Sequence, residues 1–205
     1  GNQLQFSQAS SDYDLKTTQL FRDVGAWYHI VAVLNTGAAE SSRAALYVNG
    51  SQVTAFATEN YPGSSYSTNF TANSSSVEHV IGSNASGGGA SQFFDGYIAE
   101  FNFIDGQALT PASFGETNAD GVWVPKAYSG SYGNNGFFID GRDSSDLGDD
   151  ESGNGNDLTS SGLTTADQMG DTPTNNFWTL NPTDRHASNV TILDGNLRAD
   201  CTSSA

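Results

Sequence analysis

The chain has 205 residues, of which 36% are hydrophobic and 23 are glycine. That suits one large all-β domain, or one domain with part of a second, in which much of the chain is loop. Twenty-three acidic residues against seven basic ones give a formal net charge of −16, which argues against nucleic acid and anionic membrane as partners, because neutralising phosphate needs clustered Lys and Arg. No apolar run approaches bilayer-spanning length, so membrane insertion is not expected either. The opening GNQLQFSQAS has no Met, no basic start and no apolar stretch, and reads as a cut end rather than a signal peptide. The single Cys201 cannot form an intrachain disulfide, which leaves packing, a metal or oligomer contacts to supply stability.

Along the chain, short β-rich runs alternate with Gly, Ser and Asn clusters, the pattern of a sandwich or barrel. QLQF and DLKTTQLF read as early strands. WYHIVAVL alternates, with Tyr28, Ile30, Ala32 and Leu34 opposed to His29, Val31 and Val33; both sets are apolar enough to predict a central strand. AALYVNGSQVTAF predicts a hairpin closed by Asn49-Gly50 in a type I′ turn, which needs positive φ twice. EHVIGS and GYIAEFNFID follow as strands, the latter with Tyr97, Ala99, Phe101 and Phe103 on one face and Glu100 and Asn102 on the other. LTPASFGE predicts one helical turn with Thr110 as N-cap and Pro111 at the first position. Beyond residue 116 the chain turns Gly-, Asn- and Asp-rich, with one clear strand at FFID. The last hairpin, NVTILDGNLRA, turns at Asp194-Gly195; alone it is marginal in water, so it must dock on the sandwich or open a further domain. The expected organisation is a sandwich over 1–116, an extension over 117–188 and a hairpin over 189–205. The expected core draws on Val31, Val33, Leu46, Val48, Ile81, Phe101 and Phe103.

WYHIVAVLNT, then ALYVNGSQV, then IGS and FFDGYIAEFNFIDGQALTPASFG together resemble the laminin-G-like, concanavalin-A-like lectin superfamily. The resemblance implies an antiparallel β-sandwich with a loop-rich C-terminal extension. The segment FIDGQALTPASFGE to GVWVPKAYSGSYGNNGFFID, followed by SGNGND and PTNNFWTLNP, resembles virion proteins of marine bacteriophages, in which tail-fibre and other surface chains carry such modules in tandem. The strands that usually open a module of this kind are expected upstream or from elsewhere, and VTILDGNLRA resembles the opening strand pair of a following SPRY-like sandwich. The resemblance thus implies a module at the virion surface, outside the cell. Its partners would be a host-surface glycan and other virion subunits, and it would assemble as a homo-oligomer.

Three groups of residues invite chemistry. EFNFID resembles the E-x-D-x-x-E strand of laminarinase-type glycoside hydrolases, but Asn102 stands where the middle Asp belongs and Asp105 where the last Glu belongs. On an unbulged strand Glu100 and Asp105 fall on opposite faces, whereas retaining hydrolysis needs two carboxyls about 5 Å apart; no enzyme is expected, and Glu100 reads as a solvent-facing strand residue. DLGDDESGNGNDL gathers oxygen ligands: Asp149, Glu151, Asn154, Asn156 and Asp157 are candidates to ring a Ca²⁺, which takes 6 to 8 oxygens from flexible loops. SGNGNDL is similar to one copy of an RTX nonapeptide, a site that needs tandem copies; the alternative is a solvated acidic loop. Tyr61, Tyr66 and Phe70, and separately Trp123 and Tyr128 with Tyr132, are candidate sugar-stacking rings, since an aromatic face suits the apolar face of a sugar and Asn and Ser supply hydrogen bonds. The alternative is that these rings pack their loops onto the sandwich. His29, His79 and His186 show no ligand spacing, and the N-x-S/T matches at Asn49, Asn69, Asn73, Asn84 and Asn189 are those expected by chance in so Asn-, Ser- and Thr-rich a chain. The functional expectation is a module for scaffolding and glycan recognition, with structural bracing of a particle as the alternative.

Overall fold

The computed structural model describes residues 2–8, 12–64, 66, 79–85, 90–170, 172–173, 180, 189–193 and 198–201. It is all-β: short strands pair antiparallel, and the described helical residues are single 3₁₀ turns. Residues 1–79 with 106–130 form one compact unit, and 80–105 with 131–205 a second. This division differs from the boundaries drawn at 116 and 188 from composition.

In the first unit, β1 (Gln5–Ser7), β2 (Asp14–Thr17) and β6 (Phe56–Asn60) form a sheet with β2 in the middle. A second sheet joins β3 (Ile30–Leu34), β4 (Ala44–Val48) and β5 (Ser51–Gln52). Leu15 of β2 packs on Ala44 and Leu46 of β4, with Phe6, Leu34, Val53, Phe56 and Tyr61 around them. The two sheets therefore meet face to face over an apolar layer, the arrangement of a β-sandwich. Burying a side chain such as Leu15 contributes about 2 kcal/mol. Tyr13 is fully buried and meets the rings of Phe6 at 5.1 Å and Tyr66 at 5.8 Å, both edge-on. β10 (Gly115–Thr117) and β11 (Trp123–Pro125) pair beyond a 3₁₀ turn at Pro111–Ser113. Pro111 opens that turn as expected, but Thr110 at the N-cap makes no side-chain capping bond.

The Asn49-Gly50 turn is as the sequence predicts. Val48 pairs with Ser51 across it, and φ is +47° at Asn49 and +79° at Gly50, the two positive values of a type I′ turn. Asn49 Oδ1 also accepts the His29 N–H at 2.8 Å, tying the turn to the start of β3.

Other expectations need correction. Among the described residues β3 pairs with β4 alone and stands at a sheet edge, not in the centre. Ala32 and Leu34 pair with Leu46 and Ala44, so Val31 and Val33 lie on the opposite face of the sheet from Leu46. Of the seven expected core residues Leu46 alone is buried.

In the second unit, β7 (Asn84–Ala85) pairs with β8 (Ala90–Ser91), β9 (Phe101–Phe103) with β12 (Phe137–Ile139), and β13 (Val190–Leu193) with β14 (Arg198–Cys201). The last pair is the expected terminal hairpin; its Asp194-Gly195 turn lies outside the described residues. Among the described residues 79–83 form no strand. The strand expected over 96–105 is confined to β9, because Glu100 sits at φ +53° and breaks the extended run. Phe101 and Phe103 leave the core of the first unit for a stack of their own. The Phe137 ring lies between them at 5.8 and 5.3 Å, and Phe101 remains 36% exposed.

Candidate functional site

The rings expected to stack on sugar are engaged in packing. Tyr61 lies against the sandwich core and donates its hydroxyl to Glu59 at 2.8 Å. Tyr66 packs edge-on against Tyr13, and burial, followed by the nearby Asp12 carboxylate, pushes its pKa up. Burial, with Tyr66 adding to it, pushes the Tyr13 hydroxyl to about 12. Trp123 fills a slot between two glycines: a Cβ on Gly50 would meet its ring at 2.4 Å, and one on Gly115 at 2.6 Å. His29 lies 5.7 Å away, ring to ring, and burial lowers its pKa. Tyr128 rests on Phe114 at 5.1 Å. In the second unit Tyr132 stacks on Phe138 and donates to Asn102 Oδ1 at 3.0 Å. Phe70 lies outside the described residues.

The acidic loop is organised from within. Asp150, absent from the expected ligand set, turns inward and is 7% exposed. Its Oδ1 accepts the N–H groups of Phe138 and Ser152 at 2.8 and 2.9 Å. Its Oδ2 accepts the Asn156 N–H and the Ser152 hydroxyl, each at 2.9 Å. Burial by itself would raise the Asp150 pKa, but the bonds from Phe138, Asn156 and Ser152 together outweigh it and hold the carboxyl below the ordinary 3.8. Asn154 and Asn156 both donate Nδ2 to the Gly136 carbonyl, which fixes both side chains against the start of β12. Asp157 accepts the Asp150 N–H at 3.1 Å. Burial, then repulsion from Asp157, Asp146 and Asp143, raises the Asp149 pKa. Among the described residues no three His, Cys, Asp or Glu side chains gather as a metal site. The five residues expected to ring calcium thus lie on one loop that hydrogen bonds to a buried carboxylate hold together.

The strand that invited a hydrolase reading is likewise occupied. Asn102 accepts from Tyr132 and donates Nδ2 to the Glu100 carbonyl at 3.0 Å. Asp105 Oδ2 accepts both the backbone N–H and the side-chain amide of Asn135, at 3.3 and 2.8 Å.

Exposed rings occur instead over residues 91–100, of which the sequence predicts strand only from Gly96 onward. SQFFDGYIAE places two Phe in succession, which a strand must point to opposite faces. Gln92 at φ +53° and Glu100 at the same value end extended structure at both ends of the segment. Such a backbone is uncommon for side chains other than Asn, Asp and His, and it lifts 93–98 out of the β-ladder. Phe93 is 73% exposed, Phe94 59%, Ile98 49% and Tyr97 47%. The segment is nevertheless anchored: the Phe94 N–H donates to the Gly82 carbonyl at 2.7 Å, and Asn84 Nδ2 donates to Gln92 Oε1 at 3.1 Å. The Phe94 ring lies over Gly96, where an added Cβ would come within 2.8 Å of it.

Gln92, Phe94 and Ile98 of this segment line an open groove of about 340 Å³ within the second unit. Val80, Ile81, Ile98 and Phe101 supply its apolar wall, Phe94 a ring, and Ser83, Asn84 and Gln92 its polar atoms. Among the described residues no Lys or Arg lines it. A ring beside two amides offers a neutral, polyhydroxylated ligand both an apolar face and directional hydrogen bonds. Sequence reasoning missed Phe93, Phe94, Gln92 and Ile98; the one signal available was the Phe-Phe doublet two residues before Gly96.

The family model described as the concanavalin A-like lectin/glucanases superfamily matches residues 1–114. The groove falls inside that span. No curated protein and no solved structure matches the chain.

Proposed function

The chain belongs to the concanavalin A-like lectin/glucanase superfamily, and from that premise we propose that it is a non-catalytic carbohydrate-recognition module. The observation that carries this reading is the groove of residues 80–101, where exposed rings sit beside side-chain amides. Its non-catalytic character is supported by Asn102 and Asp105, whose side chains are committed to Tyr132 and Asn135 rather than paired with Glu100. We place the module on a bacteriophage virion appendage, a tail fibre or similar surface chain, on the strength of the FIDGQALTPASFGE to GNNGFFID resemblance. There it would meet a host-surface glycan and neighbouring virion subunits, as part of a homo-oligomer.

A glycan array probed with the whole chain tests the recognition. Binding to a defined set of oligosaccharides, together with weaker adsorption by a phage lacking the module, is the expected result. An empty array and unchanged adsorption would overturn it.

A second reading has its own observation. Phe93, Tyr97 and Ile98 are apolar and about half or more exposed, and such a surface also suits contact with another subunit. A bracing module of that kind would sediment as an oligomer that dissociates on Phe93→Ser and Tyr97→Ser, and would bind no sugar.

A further inference from the structure

We infer that the groove selects neutral sugars bearing an acetamido group and rejects acidic ones, an inference that rests on the carbohydrate reading above. The charge comes first. The chain carries −16, the exposed Asp95 and Glu100 are the chain neighbours of the lining residues Phe94 and Phe101, and no base lines the groove among the described residues. A uronic acid, sialic acid or sulfated sugar would bring its anion into that field without a partner, and each such approach is unfavourable at any ionic strength that leaves the charges unscreened.

The chemistry of the lining then narrows the neutral sugars. An acetamido group is a small amide ending in a methyl. Its methyl needs an aliphatic wall, which Val80, Ile81 and Ile98 provide. Its carbonyl needs a neutral donor. The Asn84–Gln92 bond uses the Gln92 carbonyl and leaves the two Nε2 hydrogens of Gln92 for another acceptor. A plain hydroxyl in the same place would satisfy the donor but leave the wall facing water. The sugar ring itself would lie on Phe94. That side chain is 59% exposed, yet Gly96 beneath it and the Phe94–Gly82 backbone bond hold it in place, so little freedom is lost when a ligand lands.

The whole chain is to be titrated calorimetrically with three probes: a β-1,4-linked N-acetylglucosamine tetramer, the corresponding glucose tetramer, and an oligosaccharide ending in N-acetylneuraminic acid. The expected result is that the acetamido tetramer binds at least about ten-fold more tightly than the glucose tetramer, the scale of one well-placed apolar group with its hydrogen bond. The acidic sugar binds more weakly than either neutral one. Gln92→Gly keeps the positive φ without strain, removes the donor, and shrinks the preference for the acetamido tetramer. Phe94→Ala and Gly96→Ala weaken both neutral sugars together, with the melting temperature reporting that each variant is folded. Equal binding of the two neutral tetramers, or a preference that survives Gln92→Gly, overturns the acetamido assignment and leaves carbohydrate recognition standing. Tighter binding of the acidic sugar overturns the charge exclusion. Binding of none of the three, in a chain that melts cooperatively, overturns this inference; it overturns the carbohydrate reading only if the glycan array is empty as well.

Discussion

Two sets of aromatic rings differ in what their neighbours leave them free to do. Tyr13, Tyr61, Tyr66 and Trp123 of the first unit are held by close packing: Tyr13 is fully buried, and Trp123 occupies a slot cut by two glycines. Phe93, Phe94 and Tyr97 of the second unit stand in the open on a segment whose ends are pinned at positive φ. In a chain 36% hydrophobic and 11% aromatic, rings are a large part of the material for a core, and those within reach of the sandwich are drawn into it. The exposed ones are those that backbone geometry keeps out. Ring type therefore says little about function here; the backbone that carries the ring says more.

The packed half of this comparison is broken most severely at Gly50. Gly50→Val forces a β-branched residue to φ +79° and drives its Cβ into Trp123, for an expected loss of about 3–5 kcal/mol in chemical denaturation. Adding Trp123→Ala removes the clash but not the backbone strain, so the double variant should lose less than the sum of the two single changes. Additive losses would show that Trp123 does not press on the turn.

The acidic loop sharpens the comparison, since there a polar group takes the place of a core. Asp150→Ala strips the acceptor from the N–H groups of Phe138, Ser152 and Asn156 and should cost about 2–4 kcal/mol. The folded pKa of Asp150 is depressed, so its contribution is full above the ordinary carboxylate value and fades as pH falls through the lower folded value. The gap between wild type and Asp150→Ala should accordingly narrow below about pH 4; a gap that stays constant to lower pH would contradict the role given to its charge.

Phe101→Ala should cost about 1–2 kcal/mol, less than a fully buried Phe, because the ring is 36% exposed and supported mainly by Phe137. A loss above about 3 kcal/mol would return Phe101 to a core.

The smallest effect has the opposite sign. The Asp149 pKa is raised, so its charge opposes folding at neutral pH. Asp149→Asn should raise the melting temperature slightly there and lose that gain below the ordinary value of 3.8. Screening alone predicts that CaCl₂ and MgCl₂ at equal ionic strength raise melting equally. A calcium-selective rise abolished by Asp149→Asn/Asp157→Asn would establish a metal site in this loop.

How far these features could be read beforehand depends on the range of the interaction that makes them. The Asn49-Gly50 turn was legible because both residues encode their own φ. The Pro111 turn was legible for a similar reason. Register on β3 was not: its two faces are nearly equally apolar, and the choice falls to Leu15 on another strand. Nor could seven acids between 140 and 157 reveal that Asp150 would turn inward, since its main partner is the Phe138 N–H twelve positions earlier. Trp123 and Tyr61 were identified as notable, but whether a ring is covered is decided by residues such as Gly50, far away in sequence. The groove was hidden most completely, because neither Gln92 nor Glu100 is a residue type that favours the left-handed backbone each adopts.

The central claim is that recognition belongs to the exposed rings and stability to the packed ones. The most direct test sets Phe94→Ala beside Tyr128→Ala, measuring affinity for a glycan identified on the array and the melting temperature of each. Phe94→Ala should lose binding while melting as wild type does; Tyr128→Ala should melt lower and, while folded, bind as wild type does. Binding kept by Phe94→Ala and lost by a folded Tyr128→Ala would contradict the account.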